Sequence, residues 1–109
     1  MVIRQFLGEF EELVLLAIMT LGENAYGVPI SKAIEEATGK RVSTGALYTA
    51  LQRLEEKGFI SSKLGEATPE RGGRAKKYFA IEAGGRQALK SSGEVRATFI
   101  KSIDAGYSL

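Results

Sequence analysis

The stretch that decides the fold runs from Val42 to Ile81. It begins V-S-T-G-A-L-Y-T-A-L-Q-R-L-E-E-K-G-F-I, continues into a charged loop that contains E-R-G-G-R-A-K-K, and closes on Y-F-A-I. Ser43 is a good N-cap for a helix over about Thr44–Lys57, and Gly58 ends that helix. Two short strands follow, at Phe59–Lys63 and Lys77–Ile81, with Gly65–Lys76 as the hairpin tip. A helix that precedes a basic-tipped hairpin is the order of a winged helix-turn-helix.

Two further helices precede this stretch, and one follows it. Apolar residues at three-four spacing predict helices over about Gly8–Leu21 and Val28–Thr38. A fourth helix begins near Glu82, and Ser91-Ser92-Gly93 is expected to kink or break it. The predicted fold class is therefore mainly α with a small β-hairpin: a winged helix-turn-helix over 1–81, with a C-terminal dimerisation helix over 82–109 in the same compact unit.

The composition excludes several classes of protein. The chain has 109 residues, enough for one domain, and contains neither cysteine nor histidine. Without these residues, disulfides and thiolate metal sites are ruled out, and the usual general base is absent. There is no phosphate-cradling glycine loop either, so we expect no enzyme activity, no catalytic residues, no metal and no cofactor. The sequence shows no signal peptide and no membrane span, which makes a cytoplasmic protein the default expectation.

The charge is unevenly distributed. Residues 40–78 hold nine Lys/Arg against four acids, a net of +5, whereas the rest of the chain carries a net of −3. A strongly basic middle is the electrostatic footprint expected for a polyanion partner. The E-R-G-G-R segment also resembles an RGG-type RNA-binding element, but a single copy is weak evidence.

At these motifs the chain resembles the PadR family of bacterial transcriptional regulators. The resemblance spans about Leu7 to Leu89 and rests on S-T-G-A-L-Y-T-A-L-Q-R-L-E-E-K-G-F-I, on K-K-Y-F-A-I-E-A-G-G-R-Q-A-L, and on Tyr26-Gly27. It implies a homodimeric, repressor-like protein that binds operator DNA and dimerises through its first and last helices. The family usually has proline where this chain has Thr49 and threonine where it has Glu82.

Twelve residues are candidates for contact with double-stranded DNA. Tyr48 is interpreted either as a phosphate ligand or as a half-buried side chain that packs the helix against the wing. Ser43 caps the helix and can also donate its hydroxyl outward. Gly45 either allows a close approach to DNA or simply occupies a tolerant first turn. The full set is Lys40, Arg41, Ser43, Thr44, Gly45, Tyr48, Gln52, Arg53, Arg71, Arg74, Lys76 and Lys77.

A second set of residues is expected at a dimer interface, because the small core has little room for them: Phe6, Val95, Phe99, Ile100 and Ile103. Many members of the family respond to small molecules, so an effector bound near Phe99 and Ile103 is a further expectation. The function predicted is a sequence-specific DNA-binding regulator, a repressor on an inverted-repeat operator. The alternative is a winged-helix module that contacts proteins only.

Overall fold

The computed structural model describes residues 7–67 and 75–104. Three helices precede an antiparallel hairpin, and a long helix follows it. The elements are α1 Glu9–Leu21, a 3-10 turn Gly22–Asn24, α2 Gly27–Thr38, α3 Thr44–Glu56, β1 Ile60–Ala67, β2 Ala75–Ile81 and α4 Ala83–Asp104. The predicted fold class, mainly helical with one small hairpin, is confirmed.

The core forms where the apolar faces of the first three helices meet the base of the hairpin. Burying one such aliphatic or aromatic side chain contributes about 1.5–3 kcal/mol, so this cluster is the main source of stability. The larger side chains of this core are Val14, Leu15 and Ile18 of α1, Ile30 and Ile34 of α2, Leu47, Leu51 and Leu54 of α3, and Ile60 and Phe79 of the hairpin.

Two glycines in left-handed conformation set the ends of the helix-turn-helix unit. Gly39 has φ 72° after α2, and Gly58 has φ 78° after α3. Residues with a side chain rarely adopt such backbone angles, so glycine is favoured at both positions. They direct the chain from α2 into the turn before α3, and from α3 into the hairpin.

The hairpin strands are longer than predicted. Leu64 pairs with Lys77, and Ala67 still pairs with Ala75 beyond a register irregularity. The prediction of a tip over Gly65–Lys76 was therefore wrong at both ends. Polar residues in this region hide the strands from an apolar pattern, whereas backbone pairing does not depend on side-chain polarity. Residues 68–74 of the tip lie outside the described part of the chain.

The last helix is continuous, and the predicted kink or break at Ser91-Ser92-Gly93 is wrong. A Cβ added at Gly93 would meet nothing within 4 Å, so no packing constraint acts there. Glycine costs a helix about 1 kcal/mol relative to alanine, which the rest of this 22-residue helix outweighs. The start of α4 is also held firmly, because the N–H of Glu82 donates to the Phe59 carbonyl at 2.9 Å.

The first turn of α4 packs closely on the segment that leads into β1. A Cβ at Gly85 would stand 2.3 Å from the Phe59 carbonyl oxygen and 2.9 Å from Ile81 Cγ1. At the neighbouring Gly84 the nearest atom would be 3.5 Å away, an ordinary contact. Gly85 thus allows an approach of α4 that no other residue permits.

Further along, α4 is joined to α1 by an ion pair. Arg96 Nη1 donates to Glu12 Oε1 at 2.8 Å, and Arg96 Nη2 lies 2.7 Å from Glu12 Oε2. The second is a charge contact without hydrogen-bond alignment. Glu12 is only 8% exposed, so Arg96 supplies the partner that a buried carboxylate requires.

A second ion pair joins the start of α1 to the end of α3. Lys57 Nζ lies 3.0 Å from Glu11 Oε2, and the N–H of Gly8 donates to Glu11 Oε1 at 3.1 Å. Burial raises the pKa of Glu11, but the hydrogen bonds from Gly8 and Lys57 and the charges of Lys57 and Arg53 outweigh it. The net effect holds the pKa of Glu11 below its ordinary 4.5.

A lowered carboxyl pKa in the folded state stabilises the protein above the unfolded pKa. This contribution disappears as the pH falls through the folded pKa. We therefore expect Glu11→Gln to reduce the free energy of unfolding by about 0.5–1 kcal/mol at neutral pH, and by progressively less as the pH falls below 4.5. Urea unfolding between about pH 3 and pH 7 measures this. Glu9→Gln, at an exposed position in the same turn, is the control. A constant difference between Glu11→Gln and the unmodified protein across that range would contradict the assignment.

Candidate nucleic-acid interface

Helix α3 has one apolar side packed on the core and a polar side that faces outward. Leu47, Ala50, Leu51 and Leu54 are buried against the core. At its start, Ser43 Oγ accepts a hydrogen bond from the Ala46 N–H at 3.1 Å, which confirms the predicted cap. The helix is thereby fixed along its length, and its opposite side faces outward.

The turn before α3 is held by two side chains of α2. Glu35 Oε2 accepts a hydrogen bond from the Val42 N–H at 2.7 Å. Thr38 Oγ1 accepts one from the Lys40 N–H at 3.2 Å and donates to the Ile34 carbonyl at 2.8 Å. Lys40 and Arg41, both exposed, are consequently presented at the N-terminal end of α3 by an ordered backbone.

Tyr48 lies on the flank of α3 that faces α2. A Cβ at Gly27 would stand 2.4 Å from the Tyr48 hydroxyl oxygen, so the ring packs over the start of α2. The alternative in which Tyr48 packs α3 against the wing does not describe this contact. Tyr48 is nevertheless 46% exposed, so it is accessible to a phosphate.

The opposite flank of α3 faces α1. The charge of Arg53 acts on Glu11, and Lys57 pairs with the same carboxylate. Gln52 lies between the flanks and donates its amide to Glu56 Oε1 at 3.2 Å. Lys57 is therefore engaged within the fold, although it counts toward the basic middle of the sequence.

The wing carries its charges on two faces. Lys63 pairs with Tyr78, and side chains two residues apart share a face, which places Lys76 on the same side. Tyr78 packs edge-on against Tyr26 with ring centroids 5.4 Å apart, and Lys76 Nζ lies 4.5 Å from the Tyr26 ring centroid. This face combines cations with aromatic rings beside the start of α2.

The other face of the wing is tied to α3 through Glu55. Glu55 Oε2 accepts a hydrogen bond from Ser62 Oγ at 2.8 Å, and Glu55 Oε1 lies 3.9 Å from Lys77 Nζ. Lys77 is half-exposed, and Glu55 is its acidic neighbour within the protein. These two contacts link the wing to α3.

The structure brings most of the predicted DNA-contact residues to one side of the molecule. Those before and on α3 form a continuous exposed surface: Lys40, Arg41, Ser43, Thr44, Gly45, Tyr48, Gln52 and Arg53. Lys76 and Lys77 extend it onto the wing, although they lie on opposite faces of the hairpin. Arg71 and Arg74 lie outside the described residues.

Four of the five residues predicted for dimerisation lie along α4. Phe99 is 66% exposed, and Ile100 and Ile103 are also exposed, whereas Val95 is half-buried. Leu16 and Met19 of α1 add exposed apolar area. Phe6 lies outside the described residues.

Sequence reasoning missed several residues that shape the site. Glu35 and Glu55 anchor the turn and the wing through contacts seven residues away along the chain, a separation that carries no recognisable pattern. Lys63 could have been added to the candidate DNA contacts from the sequence. It pairs with Tyr78, and the alternation of side chains along a strand places Tyr78 on the same face as Lys76. Within residues 7–67 and 75–104, no group of three or more metal-binding side chains and no helix capable of crossing a membrane was found.

Comparison with known proteins identifies the family. The model of the transcriptional regulator PadR-like family matches residues 15–91, well over half of the chain. The protein therefore belongs to the PadR-like family of transcriptional regulators. A search of curated protein sequences gave no significant match.

Solved structures of similar fold agree with this assignment. A transcriptional regulator from Clostridium thermocellum is 28% identical, with a TM-score of 0.70 over 90% of this chain and 92% of that one. A PadR family regulator from Clostridium difficile R20291 has a TM-score of 0.73 at 22% identity, over 90% and 97% of the two chains. A PadR-like regulator from Bacillus cereus has a TM-score of 0.70 at 22% identity, over 88% of each.

Proposed function

We propose that the protein is a sequence-specific DNA-binding regulator in which α3 enters the major groove and the wing contacts the flanking backbone. The observation that carries this proposal is the continuous polar surface of α3, with cations at its N-terminal turn and on the wing. A major groove about 12 Å wide admits one α-helix. Lys40, Arg41 and Lys76 then lie where phosphates flank such a groove.

The roles divide between positioning and reading. Lys40, Arg41, Lys76 and Lys77, with Arg71 and Arg74 at the tip, act on phosphates, together with the hydroxyls of Ser43 and Tyr48. Thr44, Gln52 and Arg53 are the candidates for base contact, and Gly45 allows close approach. In this function the protein acts in the cytoplasm without catalytic activity.

The proposed assembly is a homodimer in which α4 is the dimerisation helix of the same compact unit. Exposed Phe99, Ile100 and Ile103 support it, because a contiguous apolar surface of this kind is typical of an interface. A two-fold dimer should prefer an inverted repeat with half-sites about 10 base pairs apart. On the family resemblance we propose a repressor, with the apolar face at Phe99 and Ile103 offering room for an aromatic effector.

Selection of bound sequences from a pool of random duplexes tests the function directly. We expect an enriched inverted repeat. If no sequence is enriched and duplex DNA binds no better than competitor polyanion, the protein-contact alternative becomes the better interpretation.

The positioning role has its own prediction. Lys40→Ala/Arg41→Ala should weaken binding to the selected operator and to random duplex by similar factors. The slope of log affinity against log salt should flatten by about 0.9 for each phosphate that the variant no longer neutralises. Lys90→Ala/Lys101→Ala removes the same charge from exposed positions of α4 that lie roughly opposite Phe99, and should have little effect. Equal salt slopes for the two double variants would remove the turn before α3 from the interface.

A further inference from the structure

Only part of the exposed surface of α3 points directly away from the core. At about 100° per residue, the direction opposite to buried Leu47, Ala50, Leu51 and Leu54 falls among Gly45, Thr49, Gln52 and Glu56. Thr44, Tyr48 and Arg53 lie on the flanks, which agrees with the contacts of Tyr48 toward α2 and of Arg53 toward α1. Thr49 is therefore among the first side chains that a groove would meet.

The hydroxyl of Thr49 is not used within the described part of the protein. Three other helical threonines donate to the carbonyl four residues earlier: Thr20 at 2.8 Å, Thr38 at 2.8 Å and Thr98 at 2.9 Å. The Thr49 hydroxyl makes no hydrogen bond to any residue in 7–67 or 75–104. Its polar atom and its methyl group are both available to a partner.

Gly45, one turn before Thr49, leaves the space in front of it clear. Its φ is not positive, and a Cβ built there would meet nothing within 4 Å. The fold therefore does not require glycine at this position, although glycine costs helix stability. A side chain there would stand beside Thr49 on the surface that approaches DNA.

The charges along the outward face indicate that the N-terminal half of α3 approaches DNA most closely. Glu56 lies at the far end of the outward face and is hydrogen-bonded to Gln52. Its carboxylate is repelled by phosphates, whereas Lys40 and Arg41 attract them at the opposite end. The half of α3 that carries Gly45 and Thr49 is therefore the half that a DNA groove can accept.

We propose that Thr49 is a specificity-determining residue that contacts the C5-methyl group of a thymine in the major groove. The proposal rests on the DNA-binding function given above. Threonine methyl groups are suited to contact with the thymine methyl, which the major groove exposes and the minor groove does not. Gly45 permits the approach, and the uncharged N-terminal half of the outward face makes the contact apolar rather than ionic.

The test replaces each thymine of the selected operator half-site by deoxyuridine, which removes one methyl group. For the unmodified protein, affinity should fall about fourfold per half-site at one position, the value of one buried methyl group. Thr49→Ser lacks the methyl, should bind the thymine operator about fourfold more weakly per half-site, and should show no further decrease at that deoxyuridine. Thr49→Val keeps a methyl and should retain the sensitivity to deoxyuridine.

Thr20→Ser makes the same change on α1 and should behave like the unmodified protein, and urea unfolding checks that each variant is folded. If Thr49→Ser shows the same deoxyuridine profile as the unmodified protein, Thr49 does not read a thymine methyl, although the proposed function stands. If the unmodified protein enriches no operator at all, it is the proposed function that fails.

Discussion

Gly85→Ala should lower the free energy of unfolding by about 3 kcal/mol, the upper end of the usual range for an overpacked site. The added Cβ would stand 2.3 Å from the Phe59 carbonyl oxygen, and a backbone atom cannot rotate away as a side chain can. Relief requires α4 to move off the segment before β1, which breaks the packing at its first turn. Chemical denaturation followed by circular dichroism measures the decrease in stability.

Gly84→Ala is the matched control for this prediction. Its Cβ would have its nearest neighbour at 3.5 Å, and alanine is favoured over glycine in a helix by up to about 1 kcal/mol. The two adjacent substitutions should therefore change stability in opposite directions. Equal destabilisation by both would mean that α4 does not approach Phe59 as closely as described.

Phe99→Asp should convert the proposed dimer into monomers and reduce operator affinity by about 100-fold or more. A carboxylate in an apolar interface is costly to bury, and separated subunits no longer benefit from two linked half-sites. Light scattering at micromolar concentration reports the assembly, and a binding titration on the selected operator reports the affinity.

Ala97→Asp places the same charge at an exposed position roughly opposite Phe99 on α4 and should leave both properties nearly unchanged. A monomeric full-length protein at micromolar concentration would contradict the dimer itself. A dimeric Phe99→Asp variant would show instead that this part of α4 is not the interface.

The sequence predicted the elements whose signals are local. Ser43 as an N-cap, Gly58 as a helix end and the three-four apolar spacing of α1 and α2 all act within a few residues, so they could be read directly. The length of the hairpin could not, because Gly65 and Glu66 carry no apolar alternation while their backbone still extends the strand. At Gly93 the local signal was misleading, since a single unconstrained glycine costs less than the surrounding helix gains.

Contacts between distant parts of the chain had no such signals. The pairs Glu12–Arg96 and Glu11–Lys57 depend on how the helices pack, which the spacing of charges does not reveal. The same holds for the site. The sequence predicted which residues of α3 and of the turn before it are exposed and polar. It could not predict which of them face outward and which lie beside α1 or α2, because that depends on how the helices pack.

The close packing of α4 on Phe59 at Gly85 affects how the proposed dimer could move. A helix of 22 residues is about 33 Å long, so it acts as a lever. A tilt of about 5° at Gly85 displaces the far end by about 3 Å, close to the rise of one base pair. Glu12 and Arg96 brace this lever partway along. In the proposed dimer, the stiffness of these two contacts limits the half-site spacings that can be bound.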